Sequence, residues 1–412
     1  MNNNIQRTNN KNISILFTTR IIRLFCYGFL SVILALYLAQ VGLPEQQIGL
    51  LFTLTLAGDA GITLWLTTSA DRFGRKRTLI VGALLMLGAG VVFIITRNVV
   101  VLMAAAIIGV ISPSGNEIGP FLSVEQAALS HLLPNEKRTQ VFAWYNLVGS
   151  FATATGALAG GWLAQLLQSN GMSALDAYRA VLMGYAIGGL VIGILFLSLS
   201  RDVEVDAASL ASSTPTILGL HKSRKVVIQL STFFALDAFA GGFVVQSLIA
   251  YWFFAKFGID AGIIGSIFFG ANVLAGISAL LAVRIANKIG LINTMVYTHV
   301  PSNILLILVP LMPTLPLAII VLLLRFSISQ MDVPTRQSYT MAVVSPDERS
   351  AASGVTSIAR SVGAAISPSL TGIFLAVPTL LSLPFFLAGG LKIVYDVLLY
   401  RSFSTMKPPE EK

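Results

Sequence analysis

The sequence predicts an all-α integral membrane protein of twelve transmembrane helices, arranged as two pseudo-symmetric six-helix bundles. Three observations favour this fold class. Of the 412 residues, 55% are hydrophobic and only 11% are charged, whereas soluble domains carry about 25% charged residues. Apolar runs of about 20 residues, long enough to cross a bilayer as a helix, recur along the chain. The cations also fall on alternate loops between these runs.

Twelve helices, named α1 to α12, follow from the apolar runs and from the polar or turn residues that bound them. No small-residue cleavage site follows the first run, so we expect α1 to be retained and not removed as a signal peptide. The predicted ranges are 14–39, 48–68, 78–96, 99–132, 139–168, 177–199, 226–255, 262–283, 290–310, 315–344, 351–376 and 380–402.

The loop charges predict the topology. With the N-terminus inside, eighteen Lys and Arg residues lie on the inner side, and only Arg97, Arg179 and Lys256 lie outside; six more lie within helices. Cytoplasmic loops are the ones enriched in cations. We therefore predict a multi-pass protein of the cell (inner) membrane with both termini in the cytoplasm. The same distribution explains the net charge of +9 without a nucleic-acid partner.

The chain divides at a polar segment, and its two sides repeat each other. Residues 200–225 are rich in charged residues, Ser, Thr and Pro, which predicts a cytoplasmic linker between bundles at 1–199 and 226–412. Turn and packing residues recur at a constant offset of 216 positions. The pairs are Gly42 and Gly258, Ile48 and Ile264, Gly49 and Gly265, and Gly74 and Gly290.

A short loop between α2 and α3 holds one acid, one glycine and four cations. Its sequence is Asp71-Arg72-Phe73-Gly74-Arg75-Lys76-Arg77. Residues of this kind cannot lie in hydrocarbon, so they predict a tight turn at a membrane face. Gly74 permits that turn because it lacks a Cβ.

Together, the twelve helices, the duplicated unit, the central linker and this loop resemble the major facilitator superfamily of secondary transporters over nearly the whole chain. The resemblance implies a cytoplasmic gating motif in which Asp71 latches the two halves together. Gly74 makes the turn, and Arg75 and Arg77 assist, with Arg72 in the same motif. The second copy of the motif, at 287–290, lacks the acid, so the latch is expected to be one-sided.

Two departures weaken an assignment as a drug/proton antiporter. Ala105 stands where many such antiporters have an arginine on α4. On α5, residues 156–161 resemble the antiporter motif, but Ala157 replaces the expected proline. Close helix packing through small residues is the alternative explanation of this stretch.

We single out nine charged residues that fall well inside predicted helices. Each costs about 2.5–3.5 kcal/mol at the bilayer centre, so these residues must pair or line water. Seven of the nine lie on α1, α4, α7 and α10, the helices that line and gate the central cavity in the resembled family. The nine are Arg23, Asp59, Glu117, Glu125, Asp237, Arg325, Asp332, Arg336 and Arg360.

From these positions we predict a substrate- and proton-binding cavity. Its residues are Arg23, Tyr27, Asn116, Glu117, Glu125, Asp237, Arg325, Asp332 and Arg336. Glu117 is the first candidate for binding substrate or a proton, since two prolines and two glycines break α4 around it. The alternative is a hinge with a structurally paired acid.

On α10, Arg325, Ser329, Asp332 and Arg336 follow one helical face, with Pro334 as a kink and Asp332 paired with Arg336. Here a structural ion pair is the alternative to a cavity wall.

Specific expectations follow for Arg20, Asp237 and His299. Arg20 lies near the end of α1 and is expected to anchor at the interface. Asp237 has no local partner, which leaves Arg23 or Arg336 as candidates. His299 on α9 is expected to be packed or hydrogen-bonded more readily than to act as a proton relay.

The predicted function is secondary transport by alternating access, most simply proton-coupled efflux of a small organic metabolite or drug. Proton-coupled uptake or exchange of an organic anion or zwitterion is the alternative. The expected partners are a small-molecule substrate, a proton and the lipid bilayer, and the protein is expected to be a monomer.

We expect no enzyme activity, cofactor or metal, because the sequence shows no catalytic set or phosphate loop. A single cysteine, Cys26, excludes a disulfide within the chain.

Overall fold

The structure is a computed structural model that describes residues 2–117, 119–133, 135–204, 221–345 and 348–406. Within these ranges every regular element is a helix, and no strand occurs. The predicted all-α membrane fold with twelve helical segments is confirmed. Among the described residues, ten spans are long and apolar enough to cross a membrane, and two shorter apolar helices lie at Val99–Ile108 and Leu315–Phe326.

The helices keep the numbers α1 to α12, with a and b marking the two parts of an interrupted helix. Their observed bounds are α1a Asn2–Ser31, α1b Leu34–Val41, α2 Glu45–Phe73, α3 Arg75–Ile95, α4a Val99–Ile108, α4b Phe121–Leu132, α5 Asn135–Ser169, α6 Ala174–Leu197, α7a Arg224–Gly242, α7b Gln246–Phe257, α8 Ala261–Ile289, α9 Leu291–Leu308, α10a Leu315–Phe326, α10b Asp332–Val343, α11 Arg349–Leu375 and α12 Leu383–Phe403.

The four interrupted helices are α1, α4, α7 and α10, the same four that hold most of the intramembrane charges. The break in α4 was predicted, and its cause is local. Pro113 and Pro120 cannot donate a backbone hydrogen bond. Gly115 and Gly119 adopt φ values of 70° and 78°, a region that favours glycine. Irregular backbone of this kind is tolerated at membrane depth only where it is buried in protein or lines a cavity.

The predicted spans of α1, α7 and α10 are also interrupted in the structure. In α10 the helix stops at Phe326 and resumes at Asp332, so the predicted stripe is divided between two helices. Pro334 does not kink a helix, because it lies in the first turn of α10b, where a missing N–H leaves no internal hydrogen bond unmade. Residues 32–33, 243–245 and 327–331, which form these three breaks, include no proline or glycine, although Gly241 and Gly242 end α7a directly before the second break.

The chain forms two compact units. The first contains residues 1–43, 54–215 and 259–269, and the second contains residues 44–53, 216–258 and 270–412. Each unit includes one short stretch from the opposite half of the sequence.

In the first unit, α5 packs closely on α1 through its glycines. A Cβ on Gly156 would lie 2.0 Å from the carbonyl oxygen of Phe25, and one on Gly160 would lie 2.1 Å from that of Phe29. The small residues of α5 therefore serve helix packing. The start of α8 also packs here, where Trp162 donates to Ser266 at 2.9 Å.

In the second unit, the start of α2 packs against α11. A Cβ on Gly49 would lie 2.4 Å from the carbonyl oxygen of Pro368. The backbone N–H of Ser369 donates to the hydroxyl of Thr53 at 3.0 Å. Tyr251 donates its hydroxyl to Glu45 at 2.7 Å, which joins α7b to the first turn of α2.

Candidate functional site

In the first unit, the break in α4 positions two carboxylates around Arg23 of α1. Arg23 donates from Nε to Glu117 at 2.7 Å and from both Nη atoms to Glu125, each at 2.7 Å. The side chains of Arg23 and Glu125 are wholly buried, whereas that of Glu117 is 13% exposed. Tyr145 of α5 also donates its hydroxyl to Glu125. Glu117 is therefore the more accessible of the two carboxylates.

Arg20 is a second cation on Glu117. Its Nη1 lies 2.9 Å from Glu117 Oε2, its Nη2 lies 3.2 Å from Asn146 Oδ1, and its guanidinium stacks over the Tyr145 ring at 4.2 Å. The residue is only 5% exposed. The expected interfacial role of Arg20 is wrong, because the broken α4 brings a carboxylate within its reach. Two arginines and two glutamates thus balance their charges.

Asp59 of α2 stabilises the broken backbone of α4. Its carboxylate accepts a hydrogen bond from the backbone N–H of Gly119 at 2.6 Å and one from the hydroxyl of Thr63 at 3.1 Å. Within the break, Ser112 donates to the carbonyl of Asn116 at 2.8 Å. Of the other predicted cavity residues here, Tyr27 is wholly buried and Asn116 is exposed.

In the second unit, the carboxylate of Asp237 on α7a is shared by cations from three other helices. Lys392 of α12 donates at 2.5 Å, Arg360 of α11 at 2.9 Å and Arg336 of α10b at 3.4 Å. Asp237 and Lys392 are both less than 10% exposed, whereas the Arg360 side chain is 33% exposed. A buried carboxylate of this kind must be paired to be tolerated. The predicted pairing of Asp237 with Arg336 is present, together with two further partners.

The cluster continues on both sides of Asp237. Asp332 accepts from Arg336 at 2.7 Å, which is the predicted pair. His299 Nδ1 lies 2.8 Å from Asp396 Oδ1, and its Nε2 lies 3.9 Å from Asp237 Oδ1. Asn303 donates to the other oxygen of Asp396 at 3.1 Å. His299 is thus hydrogen-bonded, as expected, and links α9 to α12.

The sequence interpretation missed Lys392 and Asp396. Both lie within the predicted range of α12 and are buried in the structure. The rule that selected the other nine charged residues, a charge well inside a helix, would have selected these two as well. Among the described residues, no group of three or more His, Cys, Asp or Glu side chains is arranged to hold a metal ion.

Arg325 and Ser329 lie apart from this ion-pair network. The Nε of Arg325 and the hydroxyl of Ser329 are buried and have no hydrogen-bond partner in the described part of the chain. The Arg325 guanidinium lies 4.9 Å from the centre of the Phe326 ring. The break in α10 thus separates two polar atoms without partners from the paired Asp332 and Arg336.

In the predicted gating motif, the linker carboxylate of Glu204 caps α3. It accepts from the backbone N–H of Arg75 at 2.6 Å and from that of Lys76 at 3.1 Å. Gly74 has φ of 104°, as the predicted turn requires.

The cations of this motif differ in their contacts. Arg75 is buried and donates to the carbonyl of Val203 at 3.3 Å, whereas Arg77 is exposed. The side chains of Asp71 and Arg72 lie outside the described residues.

Comparison with known proteins identifies the family. The family model of the Major Facilitator Superfamily matches residues 16–368. An uncharacterized membrane protein of Saccharomyces cerevisiae, YJR124C, is 31% identical over an alignment of 418 positions that covers 94% of this chain and 93% of the yeast protein.

Solved transporter structures share the fold. A D-xylose-proton symporter has a TM-score of 0.73 at 15% identity and covers 97% of this chain and 98% of its own. A bacterial homolog of the human lysosomal transporter Spinster, in an inward-facing and unoccupied conformation, has a TM-score of 0.71 at 15% identity and 96% coverage of both chains. The chain is therefore a membrane transporter and not an enzyme, and it belongs to the Major Facilitator Superfamily.

Proposed function

We propose that the protein is a secondary transporter that exports a small organic metabolite or drug in exchange for protons, by alternating access. The observation that carries this proposal is the position of Glu117. It is a partly exposed carboxylate at the break of α4 and accepts hydrogen bonds from two buried arginines. Discontinuous helices supply substrate and coupling-ion sites in secondary transporters.

Protonation of Glu117 would change the charge balance of the first unit. With Glu117 ionised, two arginines face two glutamates. With Glu117 neutral, one arginine charge is left without its partner in a site of low polarity, which is unfavourable. Proton binding at Glu117 therefore favours a different arrangement of Arg20 and Arg23. Asp332, paired with Arg336 in the second unit, is the other candidate for such a role.

The proposed transporter is a monomer of the cell (inner) membrane with both termini in the cytoplasm, as the loop charges favour. Its two halves, 1–199 and 226–412, rock about a central site lined by the predicted cavity residues. Opening on the cytoplasmic side is controlled by the gating motif of Asp71, Arg72, Gly74, Arg75 and Arg77.

The experiment uses the purified protein in lipid vesicles that enclose DNA, with ethidium as a hydrophobic cation and an imposed proton gradient. We expect ethidium accumulation to depend on the gradient and on pH, and the pH dependence to be lost in Glu117→Gln or Asp332→Asn. Asp176→Asn, at an exposed ion pair, is the control. Wild-type pH dependence in both Glu117→Gln and Asp332→Asn would refute proton coupling through these residues.

A second candidate function is uptake of an organic anion, and Arg325 favours it. The buried Nε of Arg325 and the hydroxyl of Ser329 are donors without partners among the described residues, and each is a hydrogen-bond donor that an anionic group could satisfy. Fluorescein serves as the anionic probe. If Arg325→Gln abolishes fluorescein binding but spares ethidium, the anion function is supported. If fluorescein binds equally well to both proteins, the anion function through Arg325 is wrong.

A further inference from the structure

We infer that His299, held by Asp396, is a proton-binding site in the second unit and that it carries a proton that drives transport. This inference deepens the proposed function and rests on its proton coupling. It concerns a residue outside the cavity predicted from the sequence. It adds His299 as a third proton-binding position, beside Glu117 and Asp332.

The geometry places the imidazole of His299 between two carboxylates. Nδ1 lies 2.8 Å from Asp396, and Nε2 faces Asp237 at 3.9 Å. The ring is 5% exposed and meets the Tyr395 ring edge-on, at 5.9 Å between centres. Nδ1 therefore has a fixed hydrogen-bond partner, while Nε2 is directed at a charged group beyond hydrogen-bond distance.

The charges around His299 balance without it. The groups come from each helix that contributes to the cluster: Asp237 from α7a, Asp332 and Arg336 from α10b, Arg360 from α11, and Lys392 and Asp396 from α12. Three carboxylates face three cations. Histidine is the side chain that ordinarily gains and loses a proton near neutral pH, and the Tyr395 phenol stays neutral there. A proton bound at His299 would therefore raise the net charge of the cluster from zero to plus one.

The proton state of His299 acts on Asp237. A protonated ring donates from both nitrogens and attracts Asp237 through Nε2. When Nε2 loses its proton, the ring keeps Nδ1–H on Asp396 and presents a lone pair to the Asp237 carboxylate, which is repulsive. Asp237 is then drawn more strongly to its three cations.

This change reaches several helices at once, because Asp237 is the shared acceptor for α10b, α11 and α12. The Nε2–H bond of His299 forms when a proton arrives from water on one side of the membrane. The same bond breaks when the proton leaves to water on the other side. Proton binding at His299 thus biases how α7a is joined to its neighbours, which is what coupling between proton movement and a conformational change requires.

The first test observes the proton directly. Full-length protein carrying His131→Gln and His221→Gln retains His299 as its single histidine. With ¹⁵N-labelled histidine in lipid nanodiscs, we expect the His299 signals between pH 5 and pH 9 to change from a ring with two N–H groups to one with N–H at Nδ1 only. Asp396→Asn should abolish this single tautomer, because the amide either donates or accepts, whereas Asp176→Asn should preserve it.

One protonation state throughout that pH range, or an unchanged tautomer in Asp396→Asn, would overturn the inference. This readout needs no variant of His299 and no substrate, so it is decisive even if His299→Gln fails to fold.

The second test concerns coupling. In ethidium-loaded vesicles, we compare the rate of ethidium transport with a proton gradient to the rate without one. In His299→Gln the ratio of these two rates should fall to one. A ratio equal to that of the wild type would show that His299 does not carry the coupling proton. If the wild type itself ignores the gradient for both ethidium and fluorescein, the proposed proton coupling is wrong, while the NMR titration still decides whether His299 binds a proton.

Discussion

Arg23 and Glu125 form a two-pronged ion pair in which both side chains are wholly buried. The two hydrogen bonds between them are each 2.7 Å long. This geometry satisfies both oxygens of the carboxylate and is the arrangement that best offsets the loss of hydration. Both oxygens of Glu125 are therefore paired with Arg23, whereas Glu117 is held by Arg20 and the Nε of Arg23 and keeps partial exposure.

We predict that Glu125→Gln destabilises the protein by about 3–5 kcal/mol, because the substitution leaves the buried Arg23 charge without its full partner. The thermal unfolding of purified protein in detergent measures this loss. The matched control is Asp176→Asn, which breaks an exposed ion pair with Arg179 and should change the unfolding temperature little, because exposed ion pairs contribute little to stability. Equal effects of the two substitutions would contradict a structural role for the Arg23–Glu125 pair.

Glu348 should make stability depend on pH in the acid range. Its pKa is lowered to about 2, first by the hydroxyl of Ser223 and then by backbone N–H groups at the start of α7a. Because the folded-state pKa lies below the ordinary value of 4.5, the stabilisation is complete above about pH 4.5 and is lost as the pH falls toward 2.

The measurement compares unfolding temperatures of wild type and Glu348→Gln from pH 7 to pH 3. His221 Nδ1 lies 3.5 Å from the same carboxylate, so both proteins carry His221→Gln, which keeps the backbone donor. We expect a constant difference between pH 7 and pH 5 and a shrinking one below. A difference that is constant down to pH 3 would refute the assignment to Glu348.

Gly160 should tolerate no side chain. A Cβ there would lie 2.1 Å from the carbonyl oxygen of Phe29 on α1a, so Gly160→Ala must separate α5 from α1. Overpacking of this kind typically costs about 1–3 kcal/mol, read as a lower unfolding temperature. Gly88→Ala is the control, because nothing lies within 4 Å of the added Cβ. A Gly160→Ala protein as stable as the Gly88→Ala protein would contradict the close packing.

The membrane-spanning helices and the break in α4 could be predicted from the sequence. Apolar runs report bilayer-spanning helices because every backbone polar group in lipid must be paired within the helix. Proline and glycine predicted the break in α4, because proline lacks a backbone N–H to pair and glycine adopts backbone conformations that end a helix. The residues within the breaks of α1, α7 and α10 include neither proline nor glycine, so this signal was absent there.

Some contacts of the charged residues could be predicted from the sequence, and others could not. Asp332 and Arg336 are i and i+4 neighbours, so their pair was visible in the sequence. The contacts of Asp237 with Lys392 and of His299 with Asp396 join residues 155 and 97 positions apart. Sequence spacing alone does not predict contacts between residues so far apart in the chain. Periodicity likewise placed Arg20 near a helix end but did not reveal that Glu117 reaches it.

Glu204 should control the order of the loop that begins α3. Its carboxylate accepts from the backbone N–H groups of Arg75 and Lys76, and loss of a helix cap costs about 0.5–2 kcal/mol. In Glu204→Ala we therefore expect these two amides to exchange with deuterium faster than in the wild type. Asp202→Asn is the control, because Asp202 accepts from Ser200 within the linker.

Deuterium exchange of the remaining α3 amides distinguishes a local effect at the first turn from destabilisation of the whole helix. Faster exchange confined to the first turn supports capping by Glu204, and unchanged exchange at Arg75 and Lys76 would refute it. Lys76 also donates from Nζ to the carbonyls of Leu197 and Leu199, at 2.8 and 2.7 Å. Since these bonds remain in Glu204→Ala, α3 should stay attached to the end of α6 while its first amides are released.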